Sequence, residues 1–419
     1  MSAGSAVRGT GPRLAVLDGV RILAAAAVVF YHYVALESGW GEPTEDVFPG
    51  ARPFAVYGWL GVEVFFLVSG FVICMSAWGR TLGDFTVSRI SRLFPAYWAG
   101  IVFTALVLFT WPDVSPLKAF SDVVVNLSML QGGVGVPNVD QAYWTLFVEL
   151  KFYVLFAVVV VRGVTYRNCV LFCGLWTLAG AVAPGVDNLT LSFFAVPSYS
   201  PYFIAGIAFY LMRRFGPNGV LWAVIGLQFL LAQHYVHGRM VTNLGRGLTE
   251  ETPAWPAHVI IAIGFLVMGA IALGAFDRVQ WSWLPHVGAL TYPFYLIHMM
   301  AGLTLIHRFR NDMAPVPLLL GVTTLMLVLA WGIHRFVERP LGRVLRDQLR
   351  RGMRDIRSAT PQLPAILPRI PAQPTASHDD RDCAHHAAAS TQRPTAPPET
   401  PPKQSVKQSV KPVQAGPGS

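Results

Sequence analysis

Two ionisable residues in the first apolar stretch of the chain have a spacing that suits chemistry. Arg21 and His32 lie eleven residues apart in LDGVRILAAAAVVFYHY. An α-helix brings such residues to within about 20° of one face and about 16 Å apart along its axis. A guanidinium near the end of a span can bind a phosphate or an acyl carbonyl, and a deeper imidazole can deprotonate an attacking hydroxyl. The pair predicts a site that a ligand enters from one side and in which it reacts further in.

Asp18 precedes Arg21 by three residues, a helical spacing at which the two side chains can pair. Arg21 and His32 each also have a simpler explanation. Arg21 alone could be a charge that sets membrane topology, and His32 alone a hydrogen-bonded residue of a helix bundle. Ionisable residues within a span are costly and usually functional, so their shared face favours the chemical interpretation.

Other apolar segments carry ionisable residues of their own. Glu63 lies in GVEVFFLVSGF, Glu149 in YWTLFVELKFY and His298 in YPFYLIH. For both glutamates the alternative is a structural ion pair with a neighbouring helix. Arg89 and Arg92 are three residues apart and form one basic face that could bind a nucleotide phosphate. The alternative for these arginines is a pure topology signal.

The composition places these residues in a membrane protein. Hydrophobic residues make up 53% of the 419 residues and charged residues 13%, where a soluble domain carries about 25% charged residues. The net charge is +9. Nucleic-acid binding is nevertheless not expected, because the sequence shows no soluble module with a basic face. We therefore predict an all-α integral membrane protein in the lipid bilayer, with about ten transmembrane helices. The predicted spans are 14–36, 55–78, 97–111, 141–161, 168–183, 201–215, 219–236, 257–275, 287–308 and 317–337.

The charge distribution predicts how the chain crosses the cell membrane. Arginines collect in alternate gaps and after the last span, which indicates that both termini are cytoplasmic. Residues 1–13 form a cytoplasmic segment and 14–345 the transmembrane domain. Residues 346–419 are predicted to be a disordered, proline-rich cytoplasmic tail, since 360–419 hold twelve prolines and almost no apolar periodicity. The four cysteines have neither zinc-ligand nor haem-attachment spacing, so no metal and no bound cofactor are predicted.

Six motifs, in this order, resemble those of the membrane-bound acyltransferase family 3, over about residues 14–345. Two departures are Glu63, where aspartate is more usual, and Lys151, where glutamine is frequent. The motifs are the Arg21–His32 pair; GVEVFFLVSGF; Arg89 and Arg92 before Pro95; Trp144, Leu146, Glu149, Phe152 and Tyr153; Tyr295, Leu296 and His298; and Glu338, Arg339 and Pro340.

The resemblance implies an O-acyltransferase that uses acyl-CoA as its donor substrate. The acceptor would be a hydroxyl of a carbohydrate, a glycolipid or a glycosylated small molecule. We expect His32 to act as general base, Glu149 or another acidic residue to orient it, and Arg21, Arg89 and Arg92 to position the donor. An acyl-His32 intermediate is a variant. The remaining expected substrate-binding residues are Asp18, Glu63, Trp144, Tyr153 and His298.

Two other functions stay open from the sequence alone. Buried charges in a bundle of many spans also suit a secondary transporter, although the two halves show no internal similarity. A non-catalytic polysaccharide-assembly protein could keep the fold without the chemistry, but the presence of both Arg21 and His32 argues against it. The acyl group, the acceptor and the oligomeric state are not specified by these residues.

Overall fold

The computed structural model describes residues 14–36, 39–116 and 119–359, and among these residues every regular element is helical. One further segment is used below, the 3-10 turn Gln141–Tyr143. The α-helices are α1 Ala15–Val34, α2 Thr44–Val47, α3 Arg52–Ala55, α4 Gly61–Ala77, α5 Leu82–Thr110, α6 Phe120–Asn126, α7 Trp144–Val161, α8 Tyr166–Val182, α9 Leu189–Ala195, α10 Ser200–Phe215, α11 Gly219–His234, α12 Val236–Leu244, α13 Arg246–Glu251, α14 Trp255–Ala272, α15 Leu284–Ile297, α16 Met299–Phe309, α17 Pro315–Ile333 and α18 Arg339–Ala359.

The described helices allow seven to ten membrane spans, where the sequence predicts about ten. Seven stretches are long and apolar enough to cross a membrane singly, and three bent helix pairs pass the same test as pairs. The bent pairs are α9 with α10, α11 with α12, and α15 with α16, with bends of 42°, 43° and 68°. Each of these ten stretches overlaps one of the ten predicted segments, so the all-α membrane bundle is confirmed. The third, sixth and tenth stretches, Leu82–Thr110, 189–215 and Pro315–Ile356, are longer than predicted. The sharpest bend lies at His298.

Helix α4 is held between α1 and α10 by contacts that need glycine. Gly61 lies against the backbone carbonyl of Ala24 in α1, and Gly70 lies against that of Phe203 in α10. A Cβ atom at either glycine would overlap the carbonyl oxygen. Close approach through small residues is how membrane helices commonly pack, because lipid gives them no hydrophobic drive to associate. The two contacts fix α4 in the centre of the bundle, where it lines the site described below.

The outer surface of the spans is apolar. Leu23 of α1, Phe109 of α5 and Leu266 of α14 expose 71%, 75% and 71% of their surface. In water such a surface would be an aggregation liability, whereas in a bilayer it faces hydrocarbon. The exposed residues therefore support the membrane assignment independently of helix length.

The last described helix extends beyond residue 345, where the sequence predicted the transmembrane domain to end. Helix α18 continues to Ala359, so residues 346–359, which the sequence assigned to a disordered tail, are helical. Gly342 allows α18 to approach the Ser91 carbonyl of α5, and Arg346 Nε lies 3.4 Å from Ser91 Oγ. This packing against α5 stabilises a helix whose many arginines conceal its apolar stripe in the sequence. The predicted N-terminal segment 1–13 and the remaining predicted tail, 360–419, lie outside the described residues.

Candidate active site

A cavity of about 230 Å³ lies between α1, α4, α5, α7 and α15. Its charged part is formed by Arg21, Arg89, Arg92 and Glu149, near the end of the bundle at which α1 and α5 begin. The rest of the lining is mainly apolar, with Val62, Phe65, Phe66, Val68, Val72, Ile73 and Leu146. The predicted basic and acidic residues of three helices thus meet in one cavity that has a polar and an apolar part.

The charged part of the cavity has more cations than anions. Glu149 Oε1 accepts hydrogen bonds of 2.6 Å from the hydroxyls of Ser69 and Tyr153. Three guanidinium groups face this single carboxylate, and the buried Arg89 Nε has no hydrogen-bond partner among the described residues. A cluster of forked donors with an excess of positive charge is suited to binding an anion such as a phosphate.

The two predicted histidines contact each other beside this cavity. His32 Nδ1 lies 2.8 Å from His298 Nε2, and His298 Nδ1 lies 2.7 Å from the carbonyl oxygen of Tyr295. A carbonyl oxygen can only accept, so His298 Nδ1 carries its proton and donates it there. In the neutral ring, Nε2 of His298 is then an acceptor, and His32 Nδ1 must donate to it. His32 Nε2 is consequently left with a free lone pair, which is the state a general base needs.

Tyr295 connects the histidine pair to the cavity. Its hydroxyl lies 2.8 Å from Thr145 Oγ1, and both residues belong to the cavity lining. Its backbone carbonyl is the acceptor of His298. The cavity therefore extends from the arginines to Tyr295, whose carbonyl contacts His298. His32 itself is not among the residues that line the cavity. Arg21 thus lines the cavity as one end of the predicted pair, whereas His32 lies further along α1 and outside the lining.

Comparison with known proteins decides the family. A family model described as an acyltransferase domain matches residues 14–335, more than half of the chain. The chain belongs to this acyltransferase family. The predicted resemblance is thereby confirmed, and the protein is a membrane O-acyltransferase.

Two relatives of this acyltransferase illustrate how far the similarity extends. Acyltransferase MdmB of Streptomyces mycarofaciens is 24% identical over 378 residues, which cover 80% of this chain and 92% of that protein. Peptidoglycan O-acetyltransferase OatA of Listeria monocytogenes is 26% identical over 160 residues, 33% of this chain but only 23% of that protein. No solved structure gives a significant match.

The residue that contacts His32 differs from the one that the sequence suggested as its orienting partner. The sequence suggested Glu149 or another acidic residue, but the hydrogen-bond partner of His32 Nδ1 is His298. Among the described residues, the partners of the Glu149 carboxylate are Ser69 and Tyr153. His298 was predicted to bind substrate, and the structure places it against His32, outside the cavity lining. The Tyr-Leu-x-His motif draws attention to His298 but does not reveal this contact.

Glu63 and Trp144 lie in a different cluster from the cavity. Glu63 Oε1 accepts a 3.0 Å hydrogen bond from Arg239 Nε, and both side chains are almost completely buried. The Arg239 guanidinium lies 4.3 Å from the ring centre of Tyr199 and 5.6 Å from that of Trp144. The ion-pair alternative for Glu63 is therefore realised. The sequence missed Arg239 because its segment of mixed charge, about 234–256, resembles a loop, whereas it lies in α12.

Asp18 also lies outside the cavity lining, but its charge acts on Arg21, which belongs to that lining. Asp18 is buried in α1 against Gly288 of α15, where a Cβ would collide with its side chain. Its charge acts on Arg21 together with the charges of Arg92 and Glu149. Asp18 is therefore placed to hold the Arg21 guanidinium.

Proposed function

We propose that the protein transfers a short acyl group, acetyl or another, from acyl-CoA to a hydroxyl of a carbohydrate, a glycolipid or a glycosylated small molecule. The proposal rests chiefly on the hydrogen-bonded His32–His298 pair, which leaves His32 Nε2 able to take a proton beside an arginine-rich cavity. The names of the relatives support it, since one is a peptidoglycan O-acetyltransferase and acts on a carbohydrate polymer. The relative that matches nearly the whole chain is named only as an acyltransferase.

The cavity is proposed to hold the acyl donor. Its guanidinium groups, Arg21, Arg89 and Arg92, would bind the phosphates of coenzyme A, and the apolar part would surround the pantetheine arm and the acyl group. Tyr153 would hold Glu149 in place among these cations. Coenzyme A is a cytoplasmic compound, so the end of the bundle at which α1 begins would be cytoplasmic. This orientation agrees with the predicted positive-inside charge pattern and with cytoplasmic termini.

The proposed reaction uses His32 as a general base. His32 Nε2 takes the proton of the acceptor hydroxyl while the hydroxyl oxygen attacks the thioester carbonyl carbon. The carbon–sulfur bond then breaks, coenzyme A leaves as a thiolate, and the proton passes from His32 to that sulfur. His298 holds the His32 ring and accepts from Nδ1 throughout. In the acyl-His32 variant, Nε2 itself attacks the thioester carbonyl, and coenzyme A leaves as a thiolate. The acceptor hydroxyl then attacks the acyl carbon, its proton passes to that thiolate, and the bond from the acyl carbon to Nε2 breaks, which restores His32.

Coenzyme A release by purified protein in lipid nanodiscs tests the proposal, measured with a thiol reagent with and without glycan or glycoside acceptors. His32→Gln keeps a hydrogen bond and much of the packing but cannot take a proton at neutral pH. We expect it to lower kcat at least ~100-fold, the lower bound for general-base catalysis, while donor binding persists. The matched control is His258→Gln, since His258 bonds to Gln233 away from the cavity. Substantial transfer by His32→Gln would remove His32 from this role and leave Glu149 as the next candidate.

A further inference from the structure

At the bend between α15 and α16, side chains donate hydrogen bonds to three backbone carbonyls inside the bundle. The Tyr143 hydroxyl donates to the Leu296 carbonyl over 3.0 Å, and the Tyr33 hydroxyl donates to the His298 carbonyl over 2.6 Å. His298 itself donates to the Tyr295 carbonyl. Non-helical backbone is tolerated at membrane depth only where such partners exist. The bend is thus a built feature, and it sets the position of His298.

Asp140 supplies the partner for a backbone N–H group at this bend. Its Oδ2 accepts a 3.0 Å hydrogen bond from the Met300 amide, in the first turn of α16. Its Oδ1 accepts a 2.9 Å hydrogen bond from the Ala142 amide and so caps the turn Gln141–Tyr143. The residue has no exposed surface. A single carboxylate therefore ties the segment before α7 to the first turn of α16, two residues after His298.

Several features show that this contact is more than a routine helix cap. The acceptor comes from a residue 160 positions away in the chain, whereas a capping residue ordinarily precedes its own helix. Both carboxylate oxygens are used, each by a different segment. A negative charge at the N-terminal end of α16 is also favoured by the helix dipole. Asp140 and Tyr143 hold both sides of the bend from one short turn.

We propose that Asp140 is a positioning residue for catalysis, which fixes the bend at His298 and through it the tautomer of His32. This inference rests on the proposed role of His32 as general base. Without the bond to Met300, the first turn of α16 can shift, and His298 can lose its alignment with the Tyr295 carbonyl. Both rings could then exchange tautomers, and His32 Nε2 would carry a proton for part of the time. Asp140 touches neither donor nor acceptor in this scheme and acts only through the histidines.

Two substitutions separate this role from simple capping. Asp140→Ser keeps a short oxygen that can still cap Ala142 but has no second oxygen to reach Met300. Asp140→Asn keeps the size of the side chain, but one of the two backbone amides then faces an NH₂ group, which cannot accept. The control is Thr165→Ala, which removes the 3.2 Å cap of Asn168 N in α8, a helix that does not line the cavity.

The kinetic expectation concerns kcat and not donor binding. Both Asp140 variants should lower kcat at least about tenfold, because a base that is wrongly protonated for part of the time loses some of the rate that general-base catalysis contributes. The KM for acyl-CoA should be unchanged. In a His32→Ala background they should cause no further loss, because they act through His32. Thr165→Ala should keep the wild-type kcat despite a comparable loss of a helix cap. Wild-type kcat in both folded Asp140 variants, or equal losses in the control, would overturn the proposal.

A spectroscopic measurement tests the same role without activity. In protein labelled with ¹⁵N-histidine, His32 and His298, assigned with His32→Gln and His298→Gln, should both show protonated Nδ1 and unprotonated Nε2. The Asp140 variants should show mixed tautomers at both rings. If the wild type shows this pattern but no acyl transfer, the proposed function fails while the positioning by Asp140 stands. An unchanged pattern in the variants overturns the positioning even where transfer is observed.

Discussion

His32 and His298 are separated by 266 positions in the chain, yet their Nδ1 and Nε2 atoms lie 2.8 Å apart in the interior of the bundle. The pair joins α1 to the bend between α15 and α16. Because His298 Nδ1 donates to the Tyr295 carbonyl, the hydrogen bonds run in one direction, from His32 through His298 to that carbonyl, and they leave Nε2 of His32 unprotonated. A backbone carbonyl takes the place that a carboxylate occupies in many base–orienter pairs. The proposed base, His32, is therefore held without a carboxylate of the described residues hydrogen-bonded to either ring of the pair.

Replacing His298 should weaken catalysis without weakening donor binding. His298→Gln can still contact His32 but does not impose one tautomer on it. We expect kcat to fall about 10- to 100-fold, less than for His32→Gln, because the base remains present. The KM for acyl-CoA should stay within error of the wild type in the same assay. A large rise in donor KM with unchanged kcat would instead support the substrate-binding role that the sequence suggested for His298.

The sequence predicted the spans and the cavity arginines well because both are local signals. Arg21 was singled out by helical spacing from His32, and Arg89 and Arg92 by the three-residue spacing that puts them on one basic face. The partner of His32 could not be predicted, because a contact over 266 positions leaves no local pattern. Arg239 was missed for a related reason, since only its distant partner Glu63 allows it to be buried. Helix α18 was misjudged because its arginines hide the face that packs on α5.

Arg89 and Arg92 should contribute to donor binding in different degrees. Arg89 is partly buried and has an unpaired Nε, whereas Arg92 is exposed; both line the cavity. Arg89→Gln should raise the KM for acyl-CoA more than Arg92→Gln, and each change should exceed its effect on kcat. The control is Arg80→Gln, an exposed arginine in the loop before α5. The KM effect of Arg92→Gln should also shrink at high salt, since exposed charges are screened. Unchanged donor KM in both variants would leave the two arginines with a topological role.

The Glu63–Arg239 pair should matter for stability more than for turnover. Removing one partner of a buried ion pair leaves an uncompensated charge and costs about 3–5 kcal/mol, whereas replacing both by apolar residues is often neutral. We expect Arg239→Met to lower the melting temperature in detergent strongly, and the double variant Glu63→Leu, Arg239→Met to recover most of it. Transfer per folded molecule should be retained in the double variant. Normal melting with impaired transfer would instead assign Glu63 the substrate-binding role predicted from the sequence.

The stability of the protein should depend on pH through Asp140. Burial raises the pKa of this carboxyl from its usual 3.8 to about 7, although the bonds from Met300 and Ala142 oppose the shift. The residue precedes the span that begins at Gln141. The titratable groups that face Asp140 are tyrosines of α1, α5, the turn Gln141–Tyr143 and α15. Their hydroxyls stay neutral below about pH 10. These tyrosines are Tyr33, Tyr97, Tyr143 and Tyr295.

A raised pKa means that the folded protein holds this proton more tightly than the unfolded chain does. Its contribution to stability is fully present below about pH 4 and is lost as the pH rises through about 7. Asp140→Asn cannot titrate, so wild-type stability should decline relative to this variant between pH 4 and 7 and then run parallel above pH 7. Melting temperatures of both proteins in one detergent across pH 4–8 measure the difference, and titration of the shared histidines cancels. A difference that is constant with pH would show that Asp140 is already ionised at pH 4, with its two backbone hydrogen bonds outweighing the cost of burial.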